Sequence, residues 1–267
     1  KAGDKVVLAQ VGAKLAPDFV IKKGKIRGVE SNGMLCSEEE LNIGKDSDGI
    51  MILPEDTPVG VPMKEYLGIN DTVFELEITP NRPDCLSHIG IARELGAYYS
   101  KEVKYPSFAI NSESSEKTAD NISVEIEDSN LAKRYVARII KNVTVKESPK
   151  WLKERVESIG IRSINNIVDA SNFIMMELNQ PNHTFDLDKI EGGKIVVRAG
   201  HENEKLVTLD EQERELNSDD IVISDGVKAV ALGGVMGGQN SEITENTKNI
   251  LLEVANFNSQ NVRKTSR

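Results

Sequence analysis

Two polar side chains, one in an apolar run and one in a proline-containing turn, are the first candidates for chemistry. Glu253 lies in the apolar run NILLEVANF, where a carboxylate either points outward by strand alternation or is held inward by a specific partner. His183 lies in NQPNHTFD, a proline-containing turn where an imidazole faces a cleft or solvent more readily than a core. A lone histidine is weak support for a site, so the residues alone leave both interpretations open.

A glycine-rich loop, GGVMGG at residues 233–238, follows a predicted strand. It lacks the GK[ST] ending of a phosphate-binding loop and the G-x-G spacing of a dinucleotide fold, which argues against ATP or NAD binding. Glycines at this density let backbone amides approach a small anion or a carbonyl oxygen without interference from a Cβ atom. A pair of tight turns is the alternative interpretation.

Covalent and metal-dependent chemistry have no recognisable motif in the sequence. The chain contains no GxSxG, HExxH or cysteine–histidine signature. Cys36 and Cys85 are far apart, and the remaining histidines, His88 and His201, lie in a predicted helix and in a charged turn. We therefore expect buried free thiols and no bound metal, and any hydrolysis should use a positioned water.

The first part of the chain is predicted to be rich in short strands. Residues 1–60 alternate β-like runs with glycine and lysine turns: KVVLAQVG, FVIKKGKIRG, GMLCS and DGIMILP. Ser37 and Glu40 form a capping-box pattern that predicts a short helix over EEELNI. DTVFELEI is predicted as a strand, followed by a turn and a helix capped by Asp84. The buried face of that helix is predicted to carry Leu86, Ile89, Ala92 and Leu95.

The second part predicts an α+β domain. Its predicted strands are ISVEIED, RYVARIIKNVTV, KIVVRA, KLVTLD, IVISDG, KAVALGG and NILLEVANF, with a hairpin turn at Asp225-Gly226. Residues 111–121, NSESSEKTADN, have the composition of an exposed connector, and we place the main domain boundary there.

Two helices are predicted between these strands. The first begins at Ser148 and ends at Gly160. Its buried side chains are predicted to be Trp151, Leu152, Val156 and Ile159. The second follows at Ser163, with Asn172 on a polar stripe beside the apolar face, where it either is solvated or lines a pocket.

The charge balance limits how the chain could contact nucleic acid. Lys and Arg number 33 and Asp and Glu 43, which gives a net charge of -10 and argues against RNA binding over the whole surface. Any RNA contact must be local, and two basic clusters could supply it. They are Lys22, Lys23, Lys25 and Arg27, and Lys141, Lys146, Lys150, Lys153 and Arg155. Both could equally be solvated faces. No window approaches the roughly 20 apolar residues of a membrane span, so we expect a soluble, cytoplasmic protein.

Several segments resemble bacterial phenylalanyl-tRNA synthetase beta subunits, in the family's order along the chain. KKGKIRGVESNGMLCSEEELNIG is similar to the second half of the family's OB-type tRNA-binding domain, and ELEITPNRPDCLSHIGIARELGA to the segment that follows it. IRSINNIVDASNFIMMELNQPNHTFDLDKIEGGKIVVR and ALGGVMGGQNSEITENTKNILLEVANF are similar to its editing module. The resemblance covers nearly the whole chain.

The resemblance implies a multidomain α+β fold for an internal piece of such a subunit. A partial OB-type β-barrel that binds tRNA would occupy 1–65, a small connecting α/β segment 66–121, and a mixed α+β editing domain, truncated at its C-terminal end, 122–267. The first barrel strands and the last pocket residues would lie outside the chain.

The same resemblance implies a cytoplasmic complex of two alpha and two beta subunits that binds tRNA(Phe). The alpha subunit would make phenylalanyl-tRNA with ATP and Mg, while this chain itself would hold no cofactor. The beta subunit would hydrolyse mischarged tyrosyl-tRNA(Phe), because a pocket shaped for a phenyl ring rejects an added hydroxyl by only roughly a hundredfold.

Site residues follow from the resemblance by their positions in the matching motifs. Glu253 would accept the hydroxyl hydrogen of tyrosine, which phenylalanine lacks. His183 and Asn172 would be the catalytic residues near the scissile ester. Arg162 would contact the RNA end, and Gly233 and Gly234 would lie in the loop beside the aminoacyl group. The tRNA-binding cluster would be Lys22, Lys23, Lys25 and Arg27.

Three other interpretations fit parts of the sequence. The chain could be a non-catalytic scaffold that holds tRNA and the alpha subunit, a free-standing hydrolase of mischarged tRNA, or an unrelated β-rich binding protein. Loss of tyrosyl-tRNA clearance on substitution of Glu253 would separate the editing interpretation from the first and the last.

Overall fold

The chain forms two compact units in the computed structural model, which describes residues 1–16, 18–44, 46–68, 71–110 and 113–267. Unit 1 is Lys1–Phe74 and unit 2 is Glu75–Arg267. The predicted mixed α+β class with several sheets is confirmed. The domain limits at 65 and 121 remain predictions. No helix in the described ranges is long and apolar enough to cross a bilayer.

Unit 1 consists of short antiparallel strand pairs. Its elements are β1 Lys5–Val6, β2 Leu8–Gln10, β3 Lys14–Ala16, β4 Phe19–Val20, β5 Gly24–Ile26, β6 Val29–Ser31, β7 Gly33–Leu35, β8 Ile52–Leu53 and α1 Met63–Tyr66. The pairs are β1–β8, β2–β7, β3–β4 and β5–β6. Each described strand has two or three residues, and the pairs do not join into a closed barrel within the described part of unit 1. The β-rich prediction is confirmed, whereas the OB-type barrel remains a prediction.

The capping box at Ser37 forms, but the helix predicted after it does not. The amide of Ser37 donates to the Glu40 carboxylate at 2.7 Å, and the amide of Glu40 donates to Ser37 Oγ at 3.1 Å. Residues 38–43 nevertheless form successive turns. Asn42 has a positive φ of 56°, which ends the right-handed path after one turn. The helix over EEELNI was therefore a wrong prediction.

The predicted strand DTVFELEI is also wrong. Residues 71–78 have no assigned strand, and no described segment forms a β-ladder with them. A β-strand is stabilised by hydrogen bonds to a neighbour, so alternating hydrophobicity alone does not create one.

The helix after this segment is confirmed as α2, His88–Tyr99, with Ile89 buried as predicted, but its cap and part of its predicted buried face differ. Ser87 Oγ, rather than Asp84, accepts from the amide of Gly90 at 3.1 Å. Gly90 packs against the preceding turn, where an added Cβ would lie 1.9 Å from the carbonyl oxygen of Asp84. This contact buries the Gly90 side of the helix and leaves Leu86 and Leu95 about half exposed, at 54% and 51%.

Unit 2 contains the remaining elements, arranged in two larger sheets and one two-stranded sheet. They are β9 Ser123–Ile126, β10 Ala132–Ile140, α3 Lys150–Ser158, α4 Asn166–Leu178, β11 His183–Asp186, β12 Lys194–Ala199, β13 Lys205–Val207, β14 Glu213–Glu215, β15 Ile221–Ser224, β16 Ala229–Leu232, β17 Met236–Gly237, β18 Ile250–Phe257 and α5 Ser259–Thr265. All seven predicted strand segments contain observed strands, and a turn at Asp225-Gly226 joins β15 to β16 as predicted.

The two larger sheets of unit 2 share one hydrophobic core, and β13 pairs with β14 in a third sheet. A three-stranded antiparallel sheet has the order β10-β18-β11, and a five-stranded sheet has the order β17-β16-β15-β12-β9 with β9 and β12 parallel. Phe185, Leu251 and Ile223 are fully or almost fully buried in the core that includes both sheets. The three-stranded sheet therefore has one face on the core, and this face positions the candidate site.

The helices α3 and α4 form as predicted, with differences at Trp151 and at the start of α4. Leu152 and Val156 are buried as expected, but Trp151 is 57% exposed and meets Phe173 edge to face, with ring centroids 5.7 Å apart. Helix α4 begins three residues after the predicted Ser163, because Asn165 Oδ1 accepts from the amides of residues 167 and 168 at 3.0 Å and caps it there.

The completely buried Asp169 of α4 joins the segments that precede both helices. Its carboxylate accepts hydrogen bonds from the hydroxyls of Ser148 and Ser163 and from the amide of Ile164 at 2.9 Å. A buried carboxylate is tolerated only when such donors replace water. Asp169 therefore holds the entrances of α3 and α4 together.

We predict that Asp169→Asn lowers the free energy of unfolding of unit 2 by about 2 to 3 kcal/mol, because an amide cannot accept from all three donors. Denaturant unfolding measures the loss. The exposed Glu154→Gln on α3 is the control and should change stability by less than about 0.5 kcal/mol. Equal, small effects of both substitutions would contradict the role given to Asp169.

Candidate functional site

Strand pairing brings the two leading candidates of the sequence, Glu253 and His183, face to face. β11 pairs with β18 so that His183 lies directly opposite Glu253, while β10 places Ala137 on the other side of Glu253. Directly opposed residues of an antiparallel pair have Cβ atoms about 5 Å apart on the same face of the sheet. Both side chains line a cavity between that face and the glycine-rich loop.

The cavity has a volume of about 210 Å³ and walls that are mostly apolar. Its lining residues are Met175, Pro181, Asn182, His183, Ile223, Ala231, Leu232, Gly234, Val235, Met236, Gly237, Glu253, Ala255 and Phe257. This is smaller than the roughly 300 to 1,000 Å³ of typical small-molecule pockets. It suits one amino-acid side chain rather than a nucleotide.

Glu253 is held inward by a phenol. Only 5% of its surface is exposed, and its Oε2 accepts a hydrogen bond from the hydroxyl of Tyr135 at 2.8 Å. Burial raises the pKa of Glu253 to about 7, although the hydrogen bond from Tyr135 opposes that rise. Burial, together with the nearby Glu253, likewise raises the pKa of Tyr135, which keeps the phenol protonated as the donor.

His183 is packed between a ring and a glycine. Its imidazole meets Phe185 edge to face, with ring centroids 4.6 Å apart. A Cβ added at Gly237 would lie 2.5 Å from Cε1 and Nε2 of His183, so the glycine is what lets the loop approach the ring. Burial lowers the pKa of His183 to about 4, and the imidazole is therefore neutral at physiological pH.

Both polar side chains keep hydrogen-bonding capacity for a ligand. Among the described residues, none bonds to the ring nitrogens of His183, and Glu253 Oε1 accepts no hydrogen bond. No fully buried side-chain nitrogen or oxygen in the described part of the chain lacks a partner. These atoms must therefore border the open space of the cavity, where a bound group could reach them.

The other site residues predicted from the resemblance lie at different distances from this cavity. Gly234 lines it, and a positive φ of 73° at this position favours glycine. Gly233 packs against the side chains of residues 221 and 257 and is not part of the lining. Asn172 on α4 is half-buried and Arg162, between α3 and α4, is exposed, and neither lines the cavity. Their assigned roles remain predictions.

Two residues of the site escaped the sequence reasoning. Tyr135 is 118 positions from Glu253 in the chain and occupies an ordinary buried strand position, so no local pattern reveals it. Gly237 belonged to the glycine loop that we singled out, but its contact with His183 depends on pairing between distant strands. Only the register of the folded sheets brings these groups together.

The basic cluster predicted to bind tRNA lies on a hairpin of unit 1. Arg27 and Gly28 form the two-residue turn between β5 and β6, with positive φ values of 51° and 86°. All four residues of the cluster, Lys22, Lys23, Lys25 and Arg27, are exposed. Lys23 pairs with Glu30 at 3.1 Å, whereas no described ion pair involves the other three. The hairpin thus presents positive charge to solvent.

The second basic cluster is partly neutralised by neighbouring carboxylates. Lys141 pairs with Glu116 at 2.7 Å and Lys153 pairs with Glu147 at 3.1 Å. Together with the exposed i,i+4 pair that Lys150 forms on α3, these contacts favour a solvated face over an RNA-binding surface.

One group of described residues has the composition of a metal site, and its geometry argues against that use. Asp84, Cys85 and Glu94 bring their ligand atoms within 4.8 Å of one another. The guanidinium of Arg82 donates to all three, at 2.8 Å to Asp84, 2.7 Å to Glu94 and 3.1 Å to Cys85. An arginine cation already occupies the position that an ion would take.

Two family profiles match the chain. The family described as "B3/4 domain" matches residues 131–267, and the one described as "Putative tRNA binding domain" matches residues 1–62. The first match covers more than half of the chain and includes the whole three-stranded sheet with Glu253 and His183. The chain belongs to the B3/4 domain family.

The relatives agree with the resemblance drawn from the motifs. The chain is 57% identical over 267 residues to the phenylalanine–tRNA ligase beta subunit of Fusobacterium nucleatum, which covers 100% of this chain and 33% of that protein. It is 53% identical to the Geobacter metallireducens beta subunit, with the same coverage, and 49% identical to that of Clostridium tetani, with 100% and 34% covered. The predicted resemblance to this family of beta subunits is confirmed. The chain spans about a third of the length of these curated relatives.

A solved structure shows a weaker likeness. An N-terminal fragment of the phenylalanyl-tRNA synthetase beta-subunit from Pyrococcus horikoshii aligns with 68% of this chain and 55% of its own, at a TM-score of 0.39 and 16% identity. We draw no conclusion from a match at this level.

The shifted pKa values of Glu253 and His183 give opposite pH dependences of stability. The stabilising contribution of Glu253 is complete below the unfolded pKa of 4.5 and is lost as pH rises through about 7. That of His183 is complete above the unfolded pKa of 6.5 and is lost as pH falls through about 4. Between about pH 4.5 and 6.5 the contribution of Glu253 falls with pH while that of His183 rises, so the two changes in stability partly cancel.

We predict that Glu253→Gln removes the pH dependence of the free energy of unfolding that Glu253 contributes. The free energy of unfolding of the variant minus that of the wild type should rise by roughly 3 kcal/mol from pH 4.5 to above pH 7, since one pKa unit is worth about 1.4 kcal/mol. Denaturant unfolding at a series of pH values measures the difference. The exposed Glu215→Gln is the control. A difference that does not vary with pH would show that Glu253 titrates normally in the folded chain.

Proposed function

We propose that this chain is the tRNA-binding and editing part of a phenylalanyl-tRNA synthetase beta subunit, and that its cavity hydrolyses tyrosyl-tRNA(Phe). One observation carries the proposal: a buried glutamate in a cavity of amino-acid size accepts a phenol at 2.8 Å and has a second oxygen facing open space. The similarity of the whole chain to phenylalanine–tRNA ligase beta subunits supports it.

Recognition of tyrosine follows from the donors and acceptors of the cavity. The aromatic ring would lie against apolar walls such as Ile223, Leu232 and Phe257. Its hydroxyl would donate to Oε1 of Glu253, while Tyr135 keeps Oε2 occupied and the carboxylate oriented. Phenylalanine offers no hydrogen and leaves the acceptor unpaired, and a site of this type rejects such an analogue by roughly ten thousandfold or more.

Hydrolysis requires a water near the ester carbonyl. The neutral imidazole of His183 can hold such a water by accepting a hydrogen bond from it, and His183 lies on the strand beside Glu253, on the same face of the sheet. The water oxygen bonds to the carbonyl carbon, the acyl carbon–oxygen bond breaks, and the RNA oxygen leaves as a hydroxyl after it takes up a proton lost by the water. Gly234, Gly237 and the loop between them bring backbone close to this position without Cβ interference.

The rest of the complex is proposed from the relatives. The β5–β6 hairpin, with Lys22, Lys25 and Arg27 exposed, would contact the tRNA phosphates. The partners would be tRNA(Phe) and an alpha subunit that uses ATP and Mg in a heterotetramer.

We predict that Glu253→Ala and His183→Ala in the full-length beta subunit, in complex with alpha, slow deacylation of tyrosyl-tRNA(Phe). The first loses the hydroxyl acceptor and should cost roughly a hundredfold. The second loses the group that positions the water and should cost about tenfold to a hundredfold. Single-turnover deacylation measures both, and phenylalanyl-tRNA synthesis should persist.

Glu215→Ala, on the exposed strand β14, is the matched control and should deacylate at the wild-type rate. Rates of both site variants equal to the control would contradict the editing proposal. The chain would then be better explained as a scaffold that holds tRNA and the alpha subunit, which the exposed basic hairpin favours.

A further inference from the structure

The outer face of the three-stranded sheet carries a groove that the proposed function does not use. From Arg134 onward, after a bulge, strand β10 alternates, so Tyr135 and Ala137 face the core while Arg134 and Arg138 face outward. With Gln180, Val254 and Asn256 these arginines line an open groove of about 490 Å³. The groove lies on the opposite face of the sheet from Glu253.

The two arginines of the groove present unneutralised positive charge. Neither Arg134 nor Arg138 forms an ion pair with a described residue, although the chain has a net charge of -10 and pairs other arginines such as Arg198 and Arg214. Four residues along a strand separate their Cα atoms by roughly 13 Å. Side chains at that spacing can contact different phosphates of one nucleic-acid strand, and the apolar surface between them, which includes Val136 and Val254, can support sugars and bases.

The groove and the cavity meet at an open edge of the sheet. β11 pairs with β18 only over Ile250–Glu253, so the described structure has no strand beside Ala255 on that side. Ala255 borders both the groove and the cavity. The short segment 180–182 passes the same place, with Gln180 at the groove and Asn182 at the cavity. A strand of RNA could therefore cross this edge from one face to the other.

The size of the cavity supports such an arrangement. A space of about 210 Å³ matches an amino-acid side chain and is small for the nucleotide to which that side chain is esterified. The terminal nucleotides would then lie outside the cavity mouth, and the groove that shares Ala255 adjoins it.

We propose that the groove formed by Arg134, Arg138 and Gln180 binds the phosphate backbone of the single-stranded 3′ end of tRNA and directs its aminoacyl group over the edge at Ala255 into the cavity. This inference rests on the proposed editing function for its ligand. It assigns the RNA contact to a surface that carries none of the basic residues predicted from the sequence.

The test uses the full-length beta subunit with its alpha subunit and the double substitution Arg134→Gln/Arg138→Gln. Lys101→Gln/Lys104→Gln, which removes the same charge from exposed positions after α2, is the control. Two assays are run on each: deacylation of tyrosyl-tRNA(Phe), and binding of an uncharged single-stranded RNA with the sequence of the tRNA 3′ end.

For the arginine variant we expect KM for deacylation and Kd for the oligonucleotide to rise about tenfold, with kcat unchanged. The slope of the logarithm of the binding constant against the logarithm of the salt concentration should fall in magnitude by about 1.4, or 0.7 for each lost phosphate contact. Unchanged KM, Kd and salt slope would overturn the inference, as would equal effects of the control. If wild type shows no deacylation, the proposed function fails, while the oligonucleotide assay still decides whether the groove binds RNA. Loss of alpha-subunit association with RNA binding intact would identify the groove as a protein contact and overturn it too.

Discussion

The register of β11 against β18 is the constraint on which the site depends. It places His183 opposite Glu253, and the alternation of β18 turns both toward the core face. A slip of one residue would send Glu253 to the outer groove and bring a leucine or valine into the cavity. Core residues on the same two strands, Phe185 and Leu251, are fully buried and fix the register by their packing. The same contacts between β11 and β18 therefore stabilise the sheet and position the polar side chains of the cavity.

The buried polar groups shape the cavity through opposing electrostatic effects. Burial disfavours the charged forms of both Glu253 and His183, and it raises the pKa of one and lowers that of the other. Near neutral pH the imidazole is uncharged, while the glutamate is close to half ionised. Tyr135 supplies the hydrogen bond that favours the carboxylate. A phenolic ligand would add a second hydrogen bond to this carboxylate. The site would therefore distinguish a ligand that has a hydroxyl from one that has only an aromatic ring.

Local sequence signals predicted the elements of unit 2 well, because its strands are long enough for alternation and its turns have specific residues. They failed where a local signal was present but the neighbouring structure needed to complete the helix or strand was missing. Ser37 and Glu40 form their capping box without a helix, and residues 71–78 alternate but pair with no strand in the described part of the chain. The site followed the same rule: Glu253 was visible as a carboxylate in an apolar run, while Tyr135 was invisible because its role depends on a contact across 118 residues. The close approach of Gly237 to His183 likewise needed the folded register.

The most direct test of the central claim, that Glu253 is a buried acceptor for a phenol, is a ¹³C NMR titration of its carboxyl carbon with and without tyrosinamide or phenylalaninamide. We expect a pKa near 7 for Glu253 in the ligand-free protein, a lower pKa with tyrosinamide because a second donor stabilises the carboxylate, and no such change with phenylalaninamide. A pKa near 4.5, or the same response to both ligands, would contradict it.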